Sequence, residues 1–352
     1  MKRLNRNPEK FEPLELYDAI GRNLGYKLNV AQNRADFIKR IDESIKAASE
    51  NSALIHGKRV EAMFAHVAGG LGQCAFIKQE DAGDVFADND QLQAPDYRIV
   101  LKSGEQFFVE VKNSHYANPN YLYPISKDYD AKLQAYAKLN RIPLKYAIYH
   151  SKWNKWTLLS RDSFIEQKKR YVTDLVNALA RNEMLTLDDR MISTEPDLIF
   201  ELRADPSKEV SLSPEGYAQF TIGDVKMYCN RREITNAQEK SIAFYLMRFG
   251  DWPEGDIEAV YVDNKFVGVK HTFSPENFER SETFSLIGTL SSMISAAYSE
   301  RTVQEKDVVA LGIKEHPEIF APEIPLDYKG VALPLWQFLV QPNPEPIVRK
   351  TA

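Results

Sequence analysis

The stretch QAPDYRIVLKSGEQFFVEVKNSHY, residues 93–116, decides the fold, because two alternating apolar runs flank a short turn. Three-residue hairpin loops commonly carry glycine in a left-handed last position, and the turn KSG ends in Gly104. Leu101 then pairs with Glu105 across the turn. We therefore predict an antiparallel β-hairpin whose register follows from this pairing.

Charged side chains fall at the open end of this hairpin. Counting back from the turn places Asp96 directly opposite Glu110, and opposed residues share a face with Cβ atoms about 4.5–5.5 Å apart. Lys112 follows Glu110 by two residues and shares that face. The other face carries apolar residues that we expect in the core: Ile99, Leu101, Val109 and Val111.

Two carboxylates this close repel each other, so positive charge must offset them. Lys112 supplies one charge, and a divalent cation is a natural second, because hard oxygen ligands suit Mg²⁺ or Mn²⁺. Lys112 would then orient or deprotonate a water that attacks phosphorus, or stabilise the transition state. The alternative is a surface salt bridge on an exposed sheet face.

The pattern Pro95-Asp96, thirteen residues, then Glu110-Val111-Lys112 resembles the motif of the PD-(D/E)xK nuclease superfamily. That superfamily includes restriction enzymes, Holliday-junction resolvases and repair nucleases. The resemblance implies that Asp96, Glu110 and Val111 bind Mg²⁺ or Mn²⁺. It also implies that Asp96, Glu110 and Lys112 are catalytic.

Flanking helices supply further site residues in the superfamily. The resemblance implies that Glu61, on the helix before the hairpin, is a catalytic metal ligand, directly or through water. It also implies a catalytic role for Gln134 on the helix that follows, although Lys138 stands where related motifs have tyrosine. Asp84, in an acidic loop before the hairpin, is a further carboxylate within reach of the metal, unless that loop is only a flexible acidic segment.

The resemblance covers roughly residues 50–160 and implies the fold class α/β (α+β), a restriction-endonuclease-like mixed sheet flanked by helices. We predict a helical extension over 1–49, a nuclease domain over 50–184 and an additional acidic α+β domain over 185–352. We expect the C-terminal domain to bind a protein partner, sense a signal or form a homo-oligomer.

Hydrophobic periodicity predicts the elements around the hairpin. Residues 35–68 indicate two helices with a break near SENS, and CAFIKQE, 74–80, indicates a strand. We predict further helices over 161–184 and 281–300. The run EAVYVDNKFVGVKHTF, 258–273, predicts a hairpin with its turn at DNK.

The net charge of −5 is unevenly distributed along the chain. Lys and Arg minus Asp and Glu give −1 over residues 1–126, +7 over 127–181 and −11 over 182–352. The basic block favours a polyanionic partner, although a solvated helix face would show the same pattern. Trp153 and Trp156, interleaved with lysines, either stack on bases or pack against the sheet. We expect contacts to nucleic acid from Lys152, Lys155, Lys168, Lys169 and Arg170.

Composition excludes several other classes of protein. Two cysteines, Cys74 and Cys229, are too few for a disulfide scaffold or a cysteine-rich zinc site. No window approaches 18 consecutive apolar residues, so we expect no membrane partner. Sparse cysteines and the absence of an apolar leader in the first residues predict a reduced, cytoplasmic location.

Together these features predict a Mg²⁺-dependent phosphodiesterase that acts on nucleic acid, in the first instance a DNA endonuclease. A bacterial or phage setting of restriction or antiphage defence follows from analogy alone. Two alternatives stay open. One is an RNA endonuclease, and the other is a catalytically silent nuclease fold that binds nucleic acid within a larger complex.

Overall fold

The computed structural model describes residues 1, 13–81, 87, 91–213, 215–276 and 283–345. No helix within these ranges has the length and apolar character needed to span a membrane. The described helices are α1 (Pro13–Leu24), α2 (Ala31–Glu50), α3 (Ser52–Gly70), α4 (Lys127–Asn140), α5 (Leu175–Ala180), α6 (Ala237–Phe249) and α7 (Leu290–Thr302). The predicted break near SENS is confirmed, because α2 ends at Glu50 and α3 begins two residues later.

The first half of the chain forms a mixed five-stranded sheet and a smaller three-stranded one. Its strands are β1 (Cys74–Gln79), β2 (Tyr97–Leu101), β3 (Gln106–Ser114), β4 (Tyr123–Ser126), β5 (Leu144–His150), β6 (Lys155–Ser160), β7 (Ile165–Glu166) and β8 (Arg170–Thr173). The large sheet has the order β1-β2-β3-β5-β6, with β3 and β5 parallel and the other neighbours antiparallel. The small sheet has the order β4-β8-β7. The predicted fold class, a mixed sheet flanked by helices, is confirmed.

The β2–β3 hairpin has the predicted turn and register. Tyr97 pairs with Val109, and Ile99 pairs with Phe107. The backbone N–H of Leu101 donates to the carbonyl of Glu105 at 2.8 Å. Gly104 has φ +88, a left-handed conformation that glycine adopts without strain. The same register, continued one pair beyond Tyr97, sets Asp96 opposite Glu110.

The two faces of the large sheet are both covered. One face packs against α3 and α7, and its buried residues include the predicted Ile99, Leu101, Val109 and Val111. The other face packs under α4, where Phe108 of β3, Leu133 of α4 and Tyr146 of β5 belong to a second apolar cluster. Glu110 and Lys112 extend from this second face, so burial of Glu110 is a consequence of the α4 layer.

The predicted helix over 161–184 is wrong except for residues 175–180. A short 3-10 turn (Arg161–Ser163) leads into β7 and β8, and α5 begins only after Asp174, whose carboxylate caps Asn177 N–H at 2.9 Å. The strand forms because β8 pairs antiparallel with β4, a partner about 45 residues away that local periodicity does not reveal. β-branched Val172 and Thr173 suit this extended pairing.

The predicted helix over 281–300 is also partly wrong, and residues 281 and 282 lie outside the described part of the chain. Ser285–Thr289 form strand β17, and helix α7 starts after it. Thr289 sets this boundary as the N-cap of a capping box, since its hydroxyl accepts from the backbone N–H of Ser292 at 3.2 Å.

The second half of the chain forms antiparallel sheets. Its remaining strands are β9 (Met191–Thr194), β10 (Leu198–Ala204), β11 (Ser211–Leu212), β12 (Ala218–Gln219), β13 (Ile222–Cys229), β14 (Arg232–Glu233), β15 (Glu258–Val262), β16 (Lys265–Phe273), β18 (Val303–Gln304), β19 (Asp307–Val308) and β20 (Leu335–Phe338). A five-stranded sheet has the order β14-β13-β10-β16-β15, and a three-stranded sheet has the order β17-β9-β20. The β15–β16 hairpin is confirmed, with Asp263 and Asn264 at positive φ in its turn.

One apolar cluster crosses residue 185, the predicted domain boundary. It contains Met63 and Trp156 from the first half and Met293 and Leu333 from the second. The indole N–H of Trp156 donates to Ser295 Oγ on α7 at 2.9 Å. The second half therefore contributes α7 as a covering layer for the sheet that carries the hairpin.

Candidate active site

Asp96 is held at the open end of the hairpin by two main-chain contacts. The backbone N–H of Val111 donates to Asp96 Oδ2 at 2.6 Å. The carbonyl of Asp96 accepts from the N–H of Glu80, one residue past β1, at 2.8 Å. The carboxylate is thereby aimed across the hairpin toward the backbone between Glu110 and Lys112.

Glu110 is 2% exposed and sits in a polar niche under α4. Its Oε1 lies 2.5 Å from Lys112 Nζ and accepts from the Tyr129 hydroxyl, also at 2.5 Å. Lys112 Nζ is 3.4 Å from the same hydroxyl and 4.8 Å from the centroid of the Tyr129 ring. These three side chains form one hydrogen-bonded group, which we call the Glu110 cluster.

The electrostatics at this end of the hairpin leave negative charge under-compensated. Burial, followed by the charge of Glu110, raises the pKa of Asp96 to about 7, while the Val111 N–H and Lys112 act in the opposite direction. Burial and the charge of Glu110 likewise raise the pKa of the Tyr129 hydroxyl well above its usual range. A bound cation at this position would reverse the shift at Asp96.

Glu61 approaches the site from α3. Its carboxylate pairs with Lys58 Nζ at 2.7 Å, one turn earlier on the helix. Its main-chain carbonyl accepts from the Tyr97 hydroxyl at 3.1 Å, which fixes α3 against β2. The charge of Glu61 contributes to the raised pKa of Asp96, so the two carboxylates share one electrostatic environment.

The oxygen atoms that these residues offer suit a hard divalent cation that binds only a few protein ligands. Asp96 and Glu110 offer carboxylate oxygens, and Val111 can offer only its main-chain carbonyl. Within the described ranges, no group of three or more His, Cys, Asp or Glu side chains is already gathered as a metal site. Two carboxylates with several retained waters suit Mg²⁺, which binds few protein ligands. Asp84 lies outside the described residues, as do Asp88 and Asp90 of the same loop.

Gln134 lies on α4, one turn beyond Asp130. Its amide Nε2 is 3.4 Å from Asp130 Oδ1, and Asp130 accepts from the Tyr146 hydroxyl at 2.5 Å. Arg161, whose side chain is about half exposed, joins this group with its Nε 3.3 Å from Asp130 Oδ2. The contacts of Gln134 are thus to the Asp130 group, and its catalytic role stays a prediction from the resemblance.

Some of the residues predicted to contact nucleic acid are exposed, and others are bonded to side chains within the protein. Lys152 is exposed in the β5–β6 turn. Lys155 pairs with Asp251 at 2.9 Å and contacts α7 through Ser292 Oγ at 3.4 Å. Of the two alternatives for the tryptophans, stacking on bases or packing in the protein, Trp156 shows packing, because it is buried. Trp153 is 44% exposed. Three further cations are exposed at the β7–β8 turn and the start of β8: Lys168, Lys169 and Arg170.

Tyr129 is the site residue that sequence reasoning missed. It precedes Leu133 by four residues and Tyr136 by seven, so helical spacing places all three on one face of α4. That spacing signalled a buried ring, but not the reach of its hydroxyl to Glu110 across the helix–sheet interface.

Comparison with known proteins gives little beyond this geometry. No protein-family model matches the chain. No curated protein matches it either. Among solved structures, it is similar to the Holliday junction resolvase Hjc of the archaeal hyperthermophile Archaeoglobus fulgidus, with 14% identity, 29% of this chain and 77% of that chain covered, and a TM-score of 0.23. A TM-score this low carries no argument about fold or activity.

Proposed function

We propose that this protein is a metal-dependent nuclease that hydrolyses phosphodiester bonds, in the first instance a DNA endonuclease. The single observation that carries the proposal is the hairpin's open end, where Asp96 accepts from the Val111 N–H at 2.6 Å and Lys112 contacts Glu110 at 2.5 Å. Acidic pairs next to a lysine and with a strongly shifted pKa are typical of functional sites.

Mg²⁺ or Mn²⁺ is the proposed cofactor, held by Asp96, Glu110 and the carbonyl of Val111, with Glu61 acting directly or through water. When bound, the ion supplies positive charge for the phosphate and its attacking water. The protein's own contribution is to hold both carboxylates before the ion arrives. The Val111 N–H orients Asp96, and the Tyr129 hydroxyl orients Glu110.

Lys112 is the proposed catalytic cation. Its side chain is about one quarter exposed, so Nζ can reach a phosphate oxygen from its position on Glu110. There the ammonium would donate hydrogen bonds to charge that develops on the phosphate and would orient the attacking water. The alternative role, acceptance of a proton from that water, requires Lys112 to be the neutral amine. Because the Tyr129 ring lies beneath Nζ, the ammonium stays near the strand while it changes partners.

The proposed partner is nucleic acid, tracked by the exposed cations Lys152, Lys168, Lys169 and Arg170. Binding through such cations weakens steeply with salt. The acidic region from residue 185 onward would serve a protein partner, a signal or oligomer formation. A setting in restriction or antiphage defence rests on the resemblance alone.

A specific observation favours a second candidate, a catalytically silent nucleic-acid-binding subunit. Glu110 Oε1 is already bonded to both Lys112 and Tyr129, and Glu110 is almost completely buried. A side chain so fully engaged can also serve as a structural ion pair. Metal binding and cleavage, measured separately, distinguish the two candidates.

The test is a cleavage assay with plasmid, linear duplex DNA, single-stranded DNA and RNA, each in EDTA, Mg²⁺ and Mn²⁺. The wild type is compared with Asp96→Ala and Lys112→Ala. Matched controls are Glu105→Gln and Lys102→Ala, two exposed charges at the turn of the same hairpin.

Metal-dependent cleavage that both site variants lose and both turn variants retain would support the nuclease and identify DNA or RNA as its substrate. Binding of nucleic acid without cleavage in any metal would favour the silent subunit. Cleavage that persists in Asp96→Ala would contradict the site.

A further inference from the structure

Three aromatic rings are stacked in the loop that follows β3. The rings of His115 and Tyr116 have centroids 4.5 Å apart at an interplanar angle of 25°. Those of Tyr116 and Tyr121 are 3.4 Å apart at 18°. His115 and Tyr116 are exposed, and Tyr121 is half-buried. The rings therefore form a continuous stack at the surface, which we call the β3 stack.

The backbone that carries the β3 stack is held at two points, one at the sheet and one at helix α5. The N–H of Ser151, just after β5, donates to the carbonyl of Ser114 at 2.9 Å. The N–H of Leu175, at the start of α5, donates to the carbonyl of Pro119 at 3.1 Å. Anchored rings lose little conformational entropy when a planar ligand binds to them.

The stack lies close to the candidate active site. His115 follows Lys112 by three residues on an extended strand, a separation of at most about 10 Å between Cα atoms. At the ~3.4 Å rise of stacked nucleotides, this corresponds to roughly three nucleotides. A strand whose phosphate meets Lys112 can thus place a neighbouring base on the stack.

Two basic residues lie near the stack. Arg170 is near enough to act electrostatically on the Tyr121 hydroxyl. Lys152 is exposed in the β5–β6 turn, and the bond between Ser151 and Ser114 holds that turn beside the end of β3. Aromatic rings for bases combined with cations for the backbone are the elements with which proteins bind single strands.

We propose that the β3 stack binds unpaired nucleobases, so that the substrate of the adjacent site is single-stranded or locally unpaired nucleic acid. Bases inside a duplex already stack on each other and offer no free face to a protein ring. Bases of DNA and RNA have the same stacking faces, so this chemistry serves both. The link between this binding and cleavage rests on the proposed function. The binding of bases to the β3 stack does not depend on it.

The test uses the full chain in EDTA and follows the fluorescence of oligonucleotides that contain 2-aminopurine, which is quenched on stacking. Single-stranded DNA, single-stranded RNA and duplex DNA of one sequence are titrated with protein. The variants are Tyr116→Leu with Tyr121→Leu, the same pair changed to Phe, and Tyr217→Leu as a control. Tyr217 is 78% exposed and lies in the β11–β12 turn of the second half.

Wild type is expected to quench and bind single strands more tightly than duplex. The Leu pair should weaken binding about fivefold to a hundredfold, because base–aromatic stacking contributes that much per base. The Phe pair and Tyr217→Leu should bind like wild type. If the Leu pair misfolds by circular dichroism, the single Tyr121→Leu variant replaces it.

Unchanged affinity and quenching in the Leu pair would overturn the inference, as would tighter binding of duplex. Duplex cleavage unaffected by the Leu pair would overturn the inference and leave the nuclease standing. Quenching of single strands by a protein that cleaves nothing in any metal would support the stack and overturn the nuclease.

Discussion

The two ends of the β2–β3 hairpin carry similar charges in opposite environments. At the turn, Lys102 and Glu105 are exposed to water. At the open end, Glu110 is 2% exposed. Asp96 is partly buried there, and the charge of Glu110 helps to raise its pKa. The same two strands therefore carry solvated charges at the turn, which sets their register. At the open end they carry buried charges, where apolar side chains would stabilise the fold more.

The charges at the turn are ordinary solvated surface charges, whereas the burial of the charges at the open end needs a reason other than stability. Exposed charges contribute close to zero to stability, whereas buried carboxylates cost free energy unless they are paired. Local features that oppose stability concentrate at functional sites. Removal of the Asp96 charge at the open end should therefore lower activity and raise stability in the absence of metal, whereas substitutions at the turn should change neither.

The largest expected effect comes from removing one carboxylate of the pair. Glu110→Gln keeps the size of the side chain and an acceptor for Tyr129, yet removes a metal-binding charge. We expect single-turnover cleavage in Mg²⁺ to fall about 10³-fold or more, since charge stabilisation by the metal is lost. Glu105→Gln, at the turn, should stay within twofold of wild type. Equal losses in both variants would remove the distinction between the two ends.

The lysines offer a second contrast between the ends. Lys112→Met retains much of the stem that covers Tyr129 and removes the ammonium, so we expect the cleavage rate to drop about 10²-fold. Lys102→Met should have no measurable effect on the rate. The readout is kcat on a saturating substrate, which separates chemistry from binding. A Lys112→Met enzyme with wild-type kcat and a raised KM would show that Lys112 only binds the backbone.

Stability should respond in the opposite sense to activity at Asp96. Its pKa of about 7 in the folded protein lies above the usual value of 3.8, so the unfolded chain ionises first as pH rises. The resulting penalty is absent below pH 4, grows between pH 4 and 7 and is complete above pH 7. Asp96→Asn, whose amide oxygen still accepts from Val111, should therefore be more stable in EDTA by roughly 1–3 kcal/mol at pH 8.

Urea unfolding in EDTA at pH 4, 6 and 8 measures this difference. The advantage of Asp96→Asn should grow with pH and reverse when Mn²⁺ is added, because only wild type gains free energy from the metal. An advantage that does not vary with pH would show that ionisation of Asp96 is not the cause.

The hairpin was predictable because its determinants are local. A left-handed Gly104 and the pairing of Leu101 with Glu105 follow from turn chemistry, and they fix the positions of Asp96 and Glu110 without reference to the rest of the chain. The apolar face of the same strands follows from alternation.

The features that local periodicity left wrong or open all depend on partners far away in sequence. Residues 170–173 form a strand because β4 is available beside them, and Ser285–Thr289 do so beside β9. Trp156 is buried because α7 supplies Ser295 for its indole N–H. The reach of Tyr129 to Glu110 depends on how α4 packs on the sheet, and no spacing rule encodes that distance.

The smallest expected effect distinguishes two tyrosines at the interface between α4 and the large sheet. Tyr129→Phe removes the hydrogen bond to Glu110, and Tyr146→Phe removes the one to Asp130. Each should cost about 1–2 kcal/mol of unfolding free energy, as expected for bonds to charged acceptors. Only Tyr129→Phe should also slow cleavage, by about fivefold, because Glu110 loses its orientation. Slower cleavage in Tyr146→Phe alone would place the active site at the Asp130 group.

Calorimetric titration of Mn²⁺ into the metal-free protein tests the central claim most directly, because it requires neither substrate nor activator. Wild type and Glu105→Gln should bind Mn²⁺ with the same affinity, and Asp96→Asn and Glu110→Gln should show no specific binding. Identical isotherms for all four proteins, or none for wild type, would contradict a metal site at the open end of the hairpin.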